Sequence, residues 1–448
     1  MGRRRKYSQL ALWMNGLRAG SWHVDSRGEH TLRYDEAWVD AAHGRPVSLS
    51  MPLRPADAPY RGEVVRNFFE NLLPDNRAVR ERMQARFSAA STSAVDLLTE
   101  VGRDCAGALM LMPEGKAPPR VDVLDGDTLT ETDIERLLDS VLTTGRHAEG
   151  DDFRISIAGA QEKTALLRHD GRWMRPRGAT PTTHILKLPL GVAPSGIDLT
   201  TSVENEWLCA RILDVFHVPV ALGDIARFGR HTVLCVPRFD RRKAEHGNWL
   251  LRLPQEDFAQ VAGVSPDSKY EAEGGPGIRD ILDRLRGSRN AETDRLDFFR
   301  TQVLFWMLAA IDGHAKNFSV MLLERGAYHL APRYDVLSAY PVLGHKAGQL
   351  SPEKIRMAMA LWGRNRHYRW KEIERRHFES TAVSCGLRSV VAAVLDELIE
   401  RTPGALAEVE AKLPADFPAQ LADRVLGGVR QAARQLASHT VAKGPLPT

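Results

Sequence analysis

The sequence contains few cysteines and no long apolar run. Its 448 residues include four scattered cysteines without C-x-x-C spacing, which argues against a structural zinc site and indicates reduced thiols. These residues are Cys105, Cys209, Cys235 and Cys385. The longest apolar run, 303–311, is far shorter than the roughly 20 residues that span a bilayer. Because no apolar segment follows the basic N-terminal residues, no secretory signal is expected, and we predict a cytoplasmic protein without membrane contact.

An excess of charge of either sign is also absent. The 61 Lys and Arg residues nearly balance the 57 Asp and Glu residues, which gives a formal net charge of +4. The overall charge therefore neither demands nor excludes a nucleic-acid partner, and any basic surface has to be local. A hydrophobic content of 43% and a charged content of 26% are ordinary for a soluble globular protein.

Strand-like and helix-like patterns predict an α+β protein of more than one domain, since 448 residues are too many for one core. The predicted boundaries are 1–118, 119–240 and 241–448. The first region has short strand-like runs, among them 47–50, and an Asn15-Gly16 pair that favours a two-residue hairpin turn. Strands and helices alternate in the second region. Helices dominate the third, beginning with a predicted helix over 255–262.

The most informative motif is Asp312-Gly313-His314-Ala315-Lys316-Asn317, which follows an apolar helix-like run and precedes a strand-like one. Asp312 and Asn317 are five residues apart. In the catalytic loop of protein kinases, this is the spacing between the base that accepts the substrate's hydroxyl proton and an amide that binds Mg²⁺. Asp335 ends a later apolar run, where a kinase carries its second metal-binding carboxylate. Each Asp taken alone is also explained as a turn residue, but the combination favours phosphoryl transfer.

Two segments of the second region are candidates for binding phosphate. Lys187 lies in the apolar strand 184–188, and a strand lysine there either extends its amine to solvent or binds anions. In a kinase it contacts the α- and β-phosphates and pairs with a helix Glu, for which Glu206 is the first candidate and Glu204 the second. The small residues within 156–163 let backbone N–H groups approach a phosphate closely, although a bare tight turn has the same pattern.

The segment Val236-Pro237-Arg238-Phe239 follows a strand at the position of a kinase hinge, where backbone groups meet the adenine. Pro237 has no N–H and can offer only its carbonyl there. Phe239 is expected to pack on the face of the base. The adjoining segment 240–243 is expected to be an ordinary solvated turn.

Taken together, these motifs and several others resemble the HipA family, the serine/threonine kinase toxins of bacterial toxin–antitoxin pairs. The matching segments are 68–75, 153–165, 183–189, 253–257, 274–277, 312–319, 334–335 and 413–418. They extend over nearly the whole chain. The resemblance implies a bilobal protein-kinase-like fold with an N-terminal β-rich accessory subdomain and a mostly helical C-terminal lobe.

The resemblance also implies a function. It implies ATP- and Mg²⁺-dependent phosphorylation of an aminoacyl-tRNA synthetase, best known as glutamyl-tRNA synthetase, which blocks translation and favours persistence. It implies self-phosphorylation at Ser156, which inactivates the enzyme. It further implies a small helix-turn-helix antitoxin, HipB, that covers operator DNA together with the kinase as an autorepressor.

By motif, Asp312 matches the catalytic base, and Asn317 and Asp335 match the Mg²⁺ ligands. The implied ATP-binding residues are Ala158, Gly159, Ala160, Gln161, Glu162, Lys163, Lys187, Pro237, Arg238, Phe239, His314, Lys316, Asn317, Tyr334 and Asp335. Pro237 departs from the family, because close relatives carry an acidic residue there. Lys371, Arg375 and Arg376 form a basic cluster where relatives contact the DNA backbone, although a solvated helix face explains them equally well.

Two other functions remain open from the residues alone. One is a small-molecule kinase of the aminoglycoside type, which uses the same chemistry on a different acceptor. The other is a DNA-associated co-repressor without catalytic activity. Transfer of phosphate onto a protein serine distinguishes the predicted kinase from both.

Overall fold

The computed structural model describes residues 9–117, 119–142 and 161–438. The chain forms two compact units, each built from several segments. Unit 1 contains the residues up to Leu188, Ala226–Lys269 and Ser319–Tyr328. Unit 2 contains Pro189–Ile225, Tyr270–Phe318 and the residues from His329 onward. Helices and strands are mixed throughout, so the predicted α+β class is confirmed.

The N-terminal part of unit 1 is a five-stranded antiparallel sheet covered by helices. Its strands are β1 (Gln9–Met14), β2 (Leu17–Val24), β3 (His30–Tyr34), β4 (Tyr60–Arg61) and β5 (Leu109–Pro113), in the order β4-β3-β2-β1-β5. Its helices are α1 (Glu36–Asp40), α2 (Glu63–Glu70), α3 (Arg77–Phe87) and α4 (Ala94–Val101). The buried ring of Trp22 stacks on Phe69 of α2 with centroids 3.8 Å apart, and this pair joins the sheet to the helices. Asn15 and Gly16 both have positive φ, as the predicted hairpin turn requires.

The strand predicted over 47–50 is wrong. Residues 48–51 form a tight turn closed by an isolated bridge between Ser48 and Met51. The Ser48 hydroxyl and the Leu49 N–H both donate to the carboxylate of Glu256, at 2.5 and 2.6 Å. This buried acceptor from a distant segment holds the backbone in a turn, which the local alternation of residues could not indicate.

A second sheet of six strands follows in the order β12-β13-β9-β7-β8-β6. The strands of this region are β6 (Gly126–Thr128), β7 (Lys163–His169), β8 (Arg172–Pro176), β9 (His184–Lys187), β10 (Gly191–Val192), β11 (Asp198–Leu199), β12 (Asp224–Phe228) and β13 (His231–Pro237). The short strands β10 and β11 pair only with each other. The helix α5 (Glu131–Leu142) packs its apolar side on this sheet, and α6 (Ser202–Val215) belongs to unit 2.

Unit 1 also contains the start of the region predicted to be helical. Its elements are β14 (Arg241–Lys243), β15 (Leu250–Arg252), β16 (Gln255–Asp257), α7 (Phe258–Ala262) and β17 (Ser319–Leu322). The helix predicted over 255–262 is therefore wrong in its first three residues, which pair with β17 instead. The helix begins at Phe258 because the Asp257 side chain accepts the Gln260 N–H and caps it.

Helices dominate unit 2. Besides α6, it contains α8 (Ile278–Arg284), α9 (Ala291–Met307), the end of β18 (Tyr328–Leu330), β19 (Arg356–Trp362), β20 (Arg366–Arg369), α10 (Arg375–Ser384), α11 (Val391–Glu410) and α12 (Ala419–Ser438). From Phe298 to Met307, α9 is buried on nearly all sides, and it leads directly into the loop that carries Asp312. A helix enclosed in this way gives that loop a rigid start.

A stacked pair of histidines in unit 2 predicts a pH dependence of stability. The rings of His367 and His377 lie 3.9 Å apart, and Nδ1 of His377 accepts the Glu374 N–H at 3.0 Å. Burial, reinforced by His367 and Arg376, lowers the pKa of His377 to about 4. Between about pH 6.5 and 4 the unfolded chain therefore binds a proton that the folded chain does not. We expect the urea midpoint to fall as the pH is lowered through this window.

The measurement compares the native chain with a His377→Gln variant between pH 7.5 and 4.5. Gln does not titrate, so the variant should lose less stability on acidification than the native chain. Equal slopes for the two proteins would contradict the assignment of the effect to this ring.

Candidate active site

The loop after α9 presents one exposed carboxylate on a buried frame. Asp312 is exposed, whereas His314, Lys316 and Asn317 are buried. The backbone turns sharply, since the His314 N–H donates to the Asp312 carbonyl at 2.8 Å and the Asn317 N–H donates to the His314 carbonyl at 2.9 Å. A Cβ at Gly313 would lie 2.5 Å from the ring of Phe305, so only glycine fits beside Asp312. The backbone of this loop beside Asp312 is therefore fixed by packing.

Asp335 lies beside this loop. Nδ2 of Asn317 is 3.5 Å from Oδ2 of Asp335, and the Tyr334 hydroxyl donates to the Lys316 carbonyl at 2.9 Å. Asp335 has a φ of 62°, in the left-handed region that non-glycine residues seldom adopt. Such a conformation persists only where the surroundings enforce it, and it is common at functional sites. The structure thus brings together the amide and the carboxylate that the sequence predicts to share a metal.

The chemistry of this pair fits Mg²⁺ bound together with a nucleotide. Within the described ranges, no group of three or more His, Cys, Asp or Glu side chains could hold a metal. Mg²⁺ in phosphoryl-transfer sites commonly has one or two protein oxygen ligands and takes the others from water and phosphate. Oδ1 of Asn317 accepts the His314 N–H at 3.2 Å, whereas Nδ2 faces Asp335. Sharing an ion with Asp335 through Oδ1 therefore requires the amide to turn. Asp335 and Asn317 are the residues that would hold the ion.

The phosphate-binding candidates of unit 1 lie on the second sheet. Lys187 in β9 is buried, and it stands directly opposite Lys163 in the antiparallel pair of β7 and β9. Opposite residues of such a pair point to the same face, so the two side chains leave the sheet on one side. Like charges placed opposite each other repel, and a polyanion that approaches both lowers this repulsion. This arrangement suits a polyphosphate. The pairing of Lys187 with Glu206 stays a prediction.

The rest of the predicted phosphate loop is only partly described. Ser156, Ala158, Gly159 and Ala160 lie outside the residues that the structure describes. Nε2 of Gln161 donates to the Leu188 carbonyl at 2.6 Å, and Glu162 forms an ion pair with Arg82. These two side chains are bonded within the protein, and their contact with a nucleotide stays a prediction.

Part of the hinge and the start of the segment 240–243 are buried, so the solvated turn expected there is wrong at Asp240. Arg238 and Asp240 are buried, and the Arg238 guanidinium donates to Asp240 at 2.8 Å and to Asp104 at 3.2 Å. The Arg238 N–H donates to the Thr183 carbonyl at 2.8 Å. The side chain and N–H of Arg238 are thus occupied within the protein. The exposed Pro237 and the neighbouring Phe239 remain the candidates for contact with adenine.

Comparison with known proteins places the chain in a family. The family model described as the HipA-like C-terminal domain matches residues 155–406, which is more than half of the sequence. This chain belongs to the HipA family. The model described as the HipA N-terminal domain matches residues 10–112. The recognition from the motifs is therefore confirmed.

Individual relatives are similar over most of their length. The chain is 33% identical over 355 residues to the putative kinase Y4mE of Sinorhizobium fredii, covering 78% of this chain and 82% of that protein. It is 27% identical over 342 residues to the serine/threonine-protein kinase toxin HipA of Shewanella oneidensis, covering 73% and 75%. The solved structure of Shewanella oneidensis HipA with HipB and operator DNA has a TM-score of 0.79 at 22% identity and covers 96% and 97%. That similarity confirms the HipA fold, the α+β kinase-like fold expected from the sequence.

The basic residues predicted to contact DNA do not form one exposed cluster in this HipA-family chain. Arg375 is buried and pairs with Asp396 at 2.7 Å and with Glu379. Lys371 pairs with Glu353, and Arg376 pairs with Glu374. Contact with DNA stays a prediction for all three, and the geometry of Arg375 is that of a structural ion pair.

No described helix is both long and apolar enough to cross a bilayer.

One residue of the HipA site was missed from the sequence. The Tyr270 hydroxyl donates to Oδ1 of Asp312 at 2.6 Å, and the Tyr270 ring packs edge-on against His314 with centroids 5.0 Å apart. Tyr270 precedes Asp312 by 42 residues and lies outside every motif with kinase-like spacing. No local pattern could have indicated this contact, because it depends on tertiary packing.

Proposed function

We propose that this HipA-family chain is an ATP- and Mg²⁺-dependent serine/threonine-protein kinase. The observation that carries the proposal is an exposed carboxylate, Asp312, on the same loop as Asn317, whose amide lies 3.5 Å from the Asp335 carboxylate. A base next to two oxygen donors is what phosphoryl transfer requires of a protein. The relatives named as kinases support the same reaction.

In this proposal each residue has a distinct role. Asp312 accepts the proton of the attacking serine hydroxyl, and Lys187 and Lys163 bind the phosphates from one face of their sheet. Mg²⁺, when bound, neutralises charge on the phosphates of ATP. Asn317 and Asp335 hold that ion. Asp335 has a left-handed backbone conformation, and its carboxylate lies 3.5 Å from the Asn317 amide.

The proposed acceptor is a serine of an aminoacyl-tRNA synthetase, with glutamyl-tRNA synthetase as the first candidate. Modification of such a substrate inhibits translation in the cytoplasm and promotes persistence. The relative from Shewanella oneidensis is named a toxin, and its solved complex contains HipB and operator DNA. By analogy, we propose a HipB-like helix-turn-helix antitoxin as partner, with which this chain co-represses its operon. We propose 1–118 as the accessory subdomain, 119–240 as the ATP-binding region and 241–448 as the helical lobe.

The proposal is tested by incubating the purified chain with γ-labelled ATP, Mg²⁺ and a panel of purified aminoacyl-tRNA synthetases. We expect label on a serine of one synthetase, located by peptide mass spectrometry. Label found only on small alcohols added in parallel would favour the small-molecule kinase. The absence of any transfer would favour the non-catalytic co-repressor.

Self-phosphorylation gives a second expected result. Incubation with Mg-ATP alone should add phosphate at Ser156 and lower the later rate of transfer. A phosphoserine carries a charge of about −2 and repels the phosphates of ATP from the loop that should bind them. Ser156→Ala should prevent both changes, as measured by intact mass and by the residual rate. Ser195→Ala, at an exposed serine, is the matched control. A main phosphosite retained in the Ser156→Ala chain would contradict the assignment.

A further inference from the structure

The hydrogen bond between Tyr270 and Asp312 lies at the centre of the proposed reaction. Within the described part of the chain, the Tyr270 hydroxyl is the one hydrogen-bond donor to the Asp312 carboxylate, at 2.6 Å. An exposed carboxylate on a loop otherwise rotates among several side-chain conformations. A single short bond to a fixed donor therefore decides which way this carboxylate faces.

The position of Tyr270 is itself fixed by a tight turn. The Glu273 and Gly275 N–H groups both donate to the Tyr270 carbonyl at 3.0 Å. The next residue, Glu271, is buried, and its Oε2 accepts the Ala360 N–H at 2.6 Å. A Cβ at Gly277 would lie 2.4 Å from the Glu271 carboxylate, so a larger residue there would displace the Glu271 side chain. The position of Tyr270 is thus fixed by the hydrogen bonds to its own carbonyl and by the buried side chain of the neighbouring Glu271.

The turn of Tyr270 and the loop of Asp312 are attached to the same strand. The Ala358 N–H of β19 donates to the Ile311 carbonyl at 2.9 Å, one residue before Asp312. Two residues further along β19, Ala360 binds Glu271, one residue after Tyr270. Both bonds are formed by backbone groups of one strand. Strand β19 therefore acts as a frame that fixes the distance between the hydroxyl and the carboxylate.

We propose that Tyr270 is a positioning residue that orients the catalytic carboxylate of Asp312. Its hydroxyl holds Oδ1 and leaves Oδ2 to accept the proton of the attacking hydroxyl. The tyrosine does not block the base, because an ionised carboxylate has about four acceptor sites. This inference rests on the proposed kinase function and adds a residue to it. A reacting group misplaced by about 1 Å can cost about 100-fold in rate, which sets the size of the expected effect.

The kinetic test uses Tyr270→Phe, which removes only the hydroxyl and keeps the ring on His314. We expect kcat to fall about 10- to 100-fold with the KM for ATP changed less than about twofold. The matched control is Tyr60→Phe, which removes a hydroxyl that donates to the Pro52 carbonyl at 2.9 Å in unit 1. It should retain the native kcat. An unchanged kcat in Tyr270→Phe, or a change confined to KM, would overturn the proposal.

A double-mutant cycle distinguishes an effect of Tyr270 on the orientation of Asp312 from a general disturbance of the structure. In an Asp312→Ala background, the added Tyr270→Phe change should lower the residual rate no further. The same cycle is measured by urea unfolding, which does not need activity. Tyr270→Phe should lower the urea midpoint of the native chain but not that of the Asp312→Ala chain. Equal shifts in both backgrounds would show that the hydroxyl does not act through Asp312, and so would overturn the proposal.

The two readouts also distinguish this inference from the proposed function. If the native chain transfers no phosphate, the kinase proposal fails and the catalytic role of Tyr270 fails with it. The unfolding cycle still decides whether the hydroxyl holds the carboxylate. If transfer occurs and the two residues prove independent, the kinase proposal stands and the positioning role is overturned.

Discussion

Asp312→Asn is expected to lower the rate of phosphate transfer by about 10²- to 10⁴-fold, the usual contribution of a general base. The amide has nearly the shape of the carboxylate but cannot take up the proton of the attacking hydroxyl. Because Asp312 is exposed, its replacement should change stability by less than about 0.5 kcal/mol. The affinity for ATP should change little, since Asp312 is not one of the two residues proposed to hold the ion. Labelled-phosphate transfer and isothermal titration with ATP measure the two quantities.

The matched control for this variant is Asp283→Asn, an exposed aspartate of α8 in the same unit. It should transfer phosphate at the native rate. A native rate in Asp312→Asn would contradict the role of Asp312 as the base. A loss of ATP binding together with transfer would instead show that the residue holds the nucleotide.

Asp104→Ala is expected to lower the free energy of unfolding by about 3–5 kcal/mol, the cost of removing one partner from a buried ion pair. Asp104 accepts hydrogen bonds from Arg238 at 3.2 Å, Arg241 at 2.8 Å, Arg252 at 3.3 Å and the Thr182 hydroxyl at 2.6 Å. Burial alone raises the pKa of Asp104, but the three guanidinium groups outweigh it and hold the pKa well below its ordinary value. Without this carboxylate, Arg238 and Arg241 share the single charge of Asp240, and Arg252 loses its ion pair with Asp104.

Urea unfolding monitored by tryptophan fluorescence measures this change. Arg242→Ala is the matched control, since Arg242 is adjacent in sequence to Arg241 but exposed, and it should change stability by less than about 0.5 kcal/mol. An Asp104→Ala chain as stable as the native one would contradict the account of the cluster. The cluster includes Arg238 and Asp240 at the hinge, so the variant should also raise the KM for ATP.

Local motifs indicated the residues of the candidate site, because the spacing of these residues lies within short segments. Asp312 and Asn317 lie five residues apart in one loop. The hairpin between β1 and β2 forms at Asn15-Gly16 because these two residues readily adopt the backbone conformation of a tight turn. Asp335 was predicted from the strand-like run that precedes it. In each case the residues that set the conformation are neighbours in sequence.

The features that the sequence did not indicate depend on contacts between distant segments. Ser48 turns because Glu256 accepts its hydroxyl, and 208 residues separate them. Asp240 was expected in a solvated turn and Arg238 at the nucleotide hinge, but Asp104 in another segment makes both residues part of a buried cluster. Tyr270 reaches Asp312 only through the frame of β19. Such partners cannot be identified from the residues on either side.

The most direct test of the central claim is a crystal structure of the chain with Mg²⁺ and a non-hydrolysable ATP analogue. The account predicts an ion about 2.0–2.1 Å from an oxygen of Asp335 and from Oδ1 of Asn317, with Asp312 facing the terminal phosphate and its Oδ1 still bonded to Tyr270. A nucleotide bound elsewhere on the chain, or an ion held by other residues, would contradict it.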